Sequence, residues 1–409
     1  MMKNFLIIII ISSLTAYNSY ISFYGSGQKY YNLNPSNITL GWSNLFDSNS
    51  DYNNGSLSNF YVSKLVRLSI ASNFNFNSVG GNDYYNQSLN YFNFLFPIRM
   101  GKQSMSISLS PFYRINSHII ESEFNYLAGD YNHSVYAYKS EYNFSGGPSN
   151  VAISFSSIGP KIGESLKSSF GVKLNYIFGS LYSYMQHKVY DVIYEDDGSM
   201  NYTLNSHDYY TTINNYNGYG VEAEFSLMYQ NQTISSSFNT VNNISIEQYF
   251  YDDIIPESLE LGIDPIEEKS FSLSSPFEFN IGYKYIFNNK HYFIAEYYSY
   301  TPYESESEFN VFNNSDVNKN KFNIAYYRPL LNDKLRFSMG LYNILSENEL
   351  LNSNRIGSTI GLGINMIKNL DIEFCLDIGE NKIQISSENL SERYINLHLG
   401  LTSSDMWFK

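Results

Sequence analysis

Apolar and polar residues alternate one by one over short stretches throughout this chain. In the clearest stretch, one side of the backbone carries Phe277, Phe279, Ile281, Tyr283, Tyr285 and Phe287, and the other carries Glu278, Asn280, Gly282, Lys284 and Ile286. A period of two residues is that of a β-strand, whereas the apolar residues of an amphipathic helix recur every three or four positions. The pattern therefore predicts sheet whose two faces meet different surroundings.

The same alternation recurs at intervals, which gives a strand count. It begins near Leu65, Gln87, Gln103, Val135, Phe170, Tyr216, Gln232, Phe277, His291, Lys319, Lys334, Ile360, Ile372 and Ile395. A further run at 150–157 would make fifteen strands, but single-chain bacterial barrels have an even number. Merging that run with the preceding one, 135–144, predicts fourteen strands, one of them interrupted.

The connections between these runs are alternately short and long. Short joints lie near 99–101, 160–164, 231, 288–290, 330–333 and 368–369. Long polar segments lie near 80–85, 129–133, 186–213, 247–275, 303–318, 346–354 and 380–391. In outer-membrane barrels the periplasmic turns are short and the outward loops are long. We therefore predict an all-β fold, a transmembrane antiparallel β-barrel of about 14 strands, multi-pass in the outer membrane of a Gram-negative bacterium.

The first residues have the pattern of a secretory signal. Lys3 precedes an apolar run from Phe5 to Ile11, and small residues follow up to Ala16. A membrane-anchoring helix is the alternative, but it needs about 20 apolar residues. We expect a signal peptide at 1–16, a hatch at 17–61, the barrel at 62–402 and a C-terminal periplasmic tail at 403–409. With one cysteine, Cys375, no internal disulfide can form.

Composition agrees with a barrel and disfavours other classes. Aromatic residues make up 17% of the chain, with 40 Tyr and 29 Phe, which suits the aromatic girdles at membrane interfaces. The net charge of -14 argues against nucleic acid as a partner. The 6 His have no ligand spacing, and the chain contains neither a nucleophile elbow nor a phosphate-binding loop. We therefore predict no metal, no cofactor and no enzymatic activity.

One strand contains residues that interrupt β-structure. Gly146, Gly147 and Pro148 follow the run 135–144, and proline cannot donate to a ladder. One interpretation is a periplasmic hairpin turn. The other is a kinked strand that opens a lateral window from the lumen to the lipid, which would make these three residues a lateral gate.

The segment 17–61 lacks sustained alternation and contains turn signals such as Gly25-Ser26-Gly27. A periplasmic tail is the alternative, but we favour a folded plug, or hatch, inside the lumen. The charged residues on the inward phase of the strands are Arg67, Arg114, Lys173, Glu222, Glu224, Lys284, Arg336, Glu373 and Asp377. Their mixed signs suit pairing across a filled interior, while solvation of a watery lumen remains the other interpretation.

Several stretches resemble the FadL/TodX family (OMPP1-type) of outer-membrane transporters for long-chain fatty acids and other hydrophobic compounds. They are 169–179, which ends in an aromatic residue and a glycine, the proline-led 276–285, and 334–342 followed by 360–363. The resemblance implies fourteen strands, an N-terminal hatch and a laterally opening kinked strand. The break at Gly146, Gly147 and Pro148 lies in the fourth predicted strand, whereas the best-known kink of the family lies in an earlier strand.

The resulting hypothesis is passive outer-membrane transport of hydrophobic small molecules such as long-chain fatty acids, with release into outer-membrane lipid. One alternative is a FadL-like barrel that serves as a secretion-system scaffold or surface-protein shuttle and binds a protein partner through its long acidic loops. A further alternative is a general porin for polar solutes.

Overall fold

The computed structural model describes most of the chain. It covers residues 28–29, 34–48, 56–79, 82–123, 135–163, 165–194, 200–252, 264–273, 277–287, 290–301, 318–331, 333–347, 351–367, 369–385 and 388–405. The predicted signal peptide, 1–16, and part of the predicted hatch lie outside these residues, so the domain boundaries stay predictions.

The described residues form β-strands almost throughout. Outside the strands and the connecting turns, the described residues include a one-turn helix, α1 (Pro35–Ile38), and a 3-10 turn (Phe60–Val62). The strands are β1 (Gln28–Lys29), β2 (Val66–Val79), β3 (Asn82–Arg99), β4 (Gln103–Pro111), β5 (Tyr113–Glu123), β6 (Val135–Gly146), β7 (Ser149–Ile158), β8 (Leu166–Tyr194), β9 (Met200–Tyr229), β10 (Gln232–Asp252), β11 (Glu267–Leu273), β12 (Phe277–Ile286), β13 (Tyr292–Tyr300), β14 (Asn318–Leu330), β15 (Leu335–Glu347), β16 (Leu351–Ile367), β17 (Leu370–Ile385) and β18 (Glu388–Asp405).

These strands close into one antiparallel barrel of 14 spans. Each span pairs with the next span along the chain, and β18 pairs back to β2 from Glu392 opposite Val79 to Asp405 opposite Val66. Three spans consist of two segments each, namely β4 with β5, β6 with β7, and β11 with β12. The predicted fold class and the predicted strand count are confirmed.

The two faces of the barrel meet different surroundings, as the alternation predicted. On β12 the side chain of Phe277 is 48% exposed, whereas that of its neighbour Glu278 is 6% exposed. Apolar side chains exposed on the outside include Leu174, Phe225, Ile234, Leu341, Ile360 and Ile395. Such an apolar outer belt is what hydrocarbon requires of a membrane barrel. Among the described residues, no helix has the length and apolar character needed to cross a membrane.

Several of the predicted long loops contain strand residues, and 186–213 and 380–391 are largely strand. The segment 186–213 was expected to be a loop, but β8 and β9 run for 29 and 30 residues and leave only 195–199 between them. A strand needs about 9–11 residues to cross a bilayer. β10 likewise continues to Asp252, into the predicted loop 247–275, and pairs with both β9 and β11 there. The wall therefore extends well beyond the membrane at the end opposite the short turns.

Candidate functional site

The break at Gly146, Gly147 and Pro148 is a kink within one span and not a hairpin turn. β6 and β7 both run antiparallel to the uninterrupted β8, with Gly146 opposite Leu181 and Ser149 opposite Phe178. Gly146 and Gly147 have φ angles of +98° and +124°. A Cβ atom on Gly146 would lie 2.6 Å from the carbonyl oxygen of Ser180. The kink therefore needs glycine for both conformation and space.

A second break lies directly beside the first, and the sequence interpretation missed it. It separates β4 from β5 at Phe112, whose backbone N–H donates to the carbonyl oxygen of Pro148 over 2.9 Å. The ladder between β3 and β4 starts at their short turn and ends near this break, where Phe92 pairs with Leu109. Within the described strands no ladder joins 82–91 of β3 to β5. β5 pairs instead with β6 and with the two residues of β1.

Apolar side chains line the inside of the barrel next to these breaks. This apolar lumen cluster consists of Phe112, Ile177, Leu181, Tyr216, Ile244, Ile246, Tyr298 and Tyr300, with Phe144 and Phe271 packed against it. An irregularity between Asn242 and Ser245 of β10 shifts the alternation, which turns Ile244 and Ile246 inward. A barrel interior is ordinarily polar. A cluster of this kind can bind apolar molecules.

Residues 34–48 of the predicted hatch pack against the inner wall. Glu296 on β13 accepts hydrogen bonds from the Ser43 hydroxyl (2.6 Å) and from the backbone N–H of Asn44 (2.8 Å). The Trp42 ring N–H donates to Asp377 on β17 over 3.2 Å. Thr359 on β16 accepts from the backbone of Gly41 over 3.1 Å. These contacts fix the segment to three separate strands.

The second part, 56–63, packs against the opposite arc of the wall, below the two breaks. Glu224 on β9 is 3% exposed and accepts from the Ser56 hydroxyl (2.7 Å), the Leu57 N–H (2.8 Å) and the Ser58 hydroxyl (2.6 Å). The Tyr61 backbone N–H donates to Ser156 on β7 over 3.2 Å. One carboxylate thus satisfies three buried donors, as a cap does at a helix end.

Glycines on the inward phase mark where these segments approach the wall. A Cβ atom on Gly171 would lie 2.1 Å from the carbonyl oxygen of Leu57, and one on Gly340 would lie 2.3 Å from the backbone nitrogen of Gly41. Only glycine leaves room for such backbone-to-backbone contact. Glycine within a barrel strand was therefore a usable sequence signal for the position of these segments.

The predicted lumen charges occupy several distinct settings. Arg336 pairs with Asp371 (2.7 Å) and with Glu373 (3.1 Å). Lys173 pairs with Glu222 over 3.1 Å. Both groups are ion pairs along the wall, and in neither does a predicted charge reach across the barrel.

The remaining predicted charges contact the N-terminal segments. Arg67 donates to Ser63 over 3.0 Å, and the ammonium of Lys284 lies 5.5 Å from the Phe46 ring centre. Glu224 and Asp377 accept from these segments as described. The side chain of Arg114 lies outside the described part of the structure.

Sequence reasoning did not single out Glu296, Thr359, Phe112 or Arg355. Arg355 pairs with Asp377 over 3.4 Å and lies 4.1 Å from the Tyr394 ring centre. Glu296 and Thr359 are on the inward phase of their strands, so the alternation predicts that their side chains point into the barrel. It does not predict their hydrogen-bond partners, which are more than 250 positions away in the chain. Among the described residues, no group of three or more His, Cys, Asp or Glu side chains is placed to hold a metal.

No family model and no curated protein matches this chain. Among solved structures, the CymD monoaromatic hydrocarbon channel is similar over 93% of this chain and 100% of its own, with a TM-score of 0.53 and 10% identity. The P. putida toluene transporter TodX is similar over 93% of this chain and 99% of its own, with a TM-score of 0.48 and 10% identity.

At this identity the likeness to CymD concerns the fold, and it confirms at that level the resemblance predicted from the sequence. The chain has the fold of an outer-membrane channel. Together with the apolar outer belt, this fold assigns it to the outer membrane, which it crosses with fourteen strands.

Proposed function

We propose that this chain is a passive outer-membrane channel for small hydrophobic molecules. The observation that carries the proposal is the apolar lumen cluster, which lies beside an interruption of the wall ladder. An apolar solute gains about 25 cal/mol for each Å² of surface that it removes from water. The cluster offers that gain inside the barrel, and the interruption offers a short path from the cluster to the membrane. No energy source is required.

In this proposal the kink residues Gly146, Gly147 and Pro148 keep the side path open. The break at Phe112 belongs to the same path, because it ends the ladder that would otherwise join β3 to the next span. A solute would enter from the outer mouth, rest against the cluster and leave sideways into lipid.

The described parts of the hatch favour this proposal over a general porin. The segments 34–48 and 56–63 are almost wholly buried against the inner wall. Together with the rest of 17–61 they would form the predicted plug and obstruct a straight aqueous path. We therefore expect little conductance to small ions.

Long-chain fatty acids are the proposed cargo, as the family resemblance implied. The names of the two solved structures mention monoaromatic hydrocarbons and toluene for those proteins. Both kinds of molecule have an apolar body that suits the cluster, so a test of cargo has to include both.

The test is uptake into host cells that lack their own transporter for the compound supplied. Labelled oleate and labelled toluene are given separately to cells with and without the chain in their outer membrane. We expect faster accumulation of at least one compound, with no change for a polar solute of similar size. Equal accumulation with and without a correctly inserted barrel would refute the proposal.

A further inference from the structure

Lys319 on β14 presents an ammonium group to the lumen beside the apolar lumen cluster. It lies directly opposite Tyr300 in the ladder between β13 and β14, and opposite residues of a ladder share one face of the sheet. Tyr300 is a buried member of the cluster, so Lys319 faces inward with it. The ammonium nitrogen lies 5.9 Å from the centre of the Tyr300 ring, which is within the range of a cation–π contact.

This ammonium group has no counter-ion among the described residues. Two other inward cations, Arg336 and Lys173, pair with carboxylates over 2.7 Å and 3.1 Å. Lys319 forms no such ion pair, and its side chain is half-buried. A charge that is withdrawn from water without a partner is unfavourable. An anion that enters the lumen would therefore be stabilised beside Lys319.

The neighbouring charged groups do not take the place of such an anion. Lys321, which also faces the lumen, is 1% exposed and donates to a backbone carbonyl of the segment 34–48. Glu296 accepts hydrogen bonds from the same segment. Glu278 faces inward on β12, so that β13 separates it from Lys319. Lys319 is thus the cation on this arc that an incoming molecule can contact.

The height of Lys319 in the wall determines how such a molecule lies. β13 starts near the short turn 288–290 and ends at Tyr300, so Tyr300 lies closer to the outer mouth than Tyr298 does. Both tyrosines belong to the cluster. Lys319, opposite Tyr300, therefore places a positive charge at the outer end of this part of the cluster.

On the basis of the proposed function, we propose that Lys319 selects for cargo that joins an apolar body to a single carboxylate. The carboxylate pairs with the ammonium group, and such charge-assisted bonds are roughly twice as strong as neutral ones. The apolar body lies against the cluster. A neutral hydrocarbon gains from the cluster alone. Alkyl and aromatic monocarboxylates share this chemistry, and the test separates them.

The test compares two pairs of radiolabelled probes with matched apolar bodies: decanoate with 1-decanol, and 4-methylbenzoate with toluene. Binding to the purified full chain in detergent is measured by equilibrium dialysis, with empty micelles as the blank. Lys319→Met keeps an unbranched apolar side chain and removes the charge, whereas Lys319→Arg keeps the charge. The matched control is Lys382→Met, at an exposed lysine next to the inward-facing Ile383 near the outer end of β17.

We expect the wild type to bind at least one carboxylate about tenfold more tightly than its neutral partner. Lys319→Met should lose that preference and leave the affinity for the neutral partner unchanged. Lys319→Arg should retain the preference, and Lys382→Met should bind all probes as the wild type does. The pair that shows the preference identifies the cargo as alkyl or aromatic.

Three results would overturn the role of Lys319. If the wild type binds the neutral probes as tightly as the carboxylates, the anchor is absent while the proposed function stands, and this result does not require any variant to fold. If folded Lys319→Met retains the preference, or loses affinity for both members of a pair equally, the charge does not select the cargo. If none of the four probes binds the wild type, the proposed function fails together with the anchor.

Discussion

The backbone N–H of Phe112 donates a hydrogen bond to the carbonyl oxygen of Pro148 over 2.9 Å, so the breaks in two neighbouring spans lie side by side. As a result, these spans pair as two short ladders, β4 with β7 and β5 with β6. Within the described strands, β5 pairs with β6 on one edge and does not pair with β3 on the other. The kink is therefore a property of both spans together.

We expect the kink to be required for uptake. Replacing Gly146, Gly147 and Pro148 by Val, Thr and Val supplies a ladder donor at position 148 and strongly favours ordinary β conformations. Because a side chain at 146 would clash with the Ser180 carbonyl, the local backbone must straighten or bear a strain of about 1–3 kcal/mol. Uptake of labelled oleate or toluene, whichever the wild type transports, should fall severalfold.

The control for this variant is Gly163→Ala in a short turn. Gly163 also has a positive φ, +73°, but a Cβ atom there would meet nothing within 4 Å. It should leave uptake unchanged. Wild-type uptake by a triple variant that is inserted and folded would remove the kink from the transport path.

The strands and the Gly146 kink were predictable because the period-2 signal is strong wherever one face meets lipid and the other the lumen. The signal fades in the outer halves of β8 and β9. There both faces meet water or polar groups, so residues such as Asn201, Thr203 and Asp208 occur in paired strand. The polar composition therefore predicts a loop, although backbone pairing continues.

The break at Phe112 and the contacts of Glu296 were less accessible. Pro111 precedes the break, but a proline is also tolerated at a strand edge, so this residue does not by itself predict a break. Glu296 alternates like any other inward residue, and its recognition of Ser43 depends on closure of the whole barrel. Such partners follow from tertiary structure and not from local pattern.

The apolar lumen cluster should determine affinity for hydrophobic solutes. Ile246→Asn places an amide in its centre, where the side chain is now fully buried among apolar neighbours. An unpaired buried amide costs about 1–3 kcal/mol, so affinity for toluene or oleate should fall by about tenfold. Ser245→Asn, on the opposite face of the same strand, is the matched control. Equal affinity in both variants would exclude this cluster as the binding site.

Glu224 should hold the segment 56–63 against the wall. Glu224→Ala leaves the Ser56 hydroxyl and the Leu57 N–H buried without their acceptor, at a cost of about 1–3 kcal/mol for each group that water cannot reach, while the Ser58 hydroxyl keeps its hydrogen bond with Ser226. We expect faster hydrogen exchange at 56–63 and higher ion conductance in planar bilayers. Glu222→Gln, next to it on the inward phase but paired with Lys173, should change neither measurement. If conductance stays at the wild-type value while exchange rises, the segment does not obstruct the ion path.

The ion group around Arg336 should stabilise the barrel near its short turns. Arg336→Met would leave Asp371 and Glu373 buried without their cation, which should cost about 3–5 kcal/mol of unfolding free energy. Neutralising all three, with Asp371→Asn and Glu373→Gln added, should recover most of that loss because no buried charge then remains. The control is Lys290→Met, which removes an exposed ion pair with Asp333 and should cost less than about 1 kcal/mol. Urea unfolding in detergent measures all three variants. If Arg336→Met alone is as stable as the wild type, the buried carboxylates do not depend on Arg336.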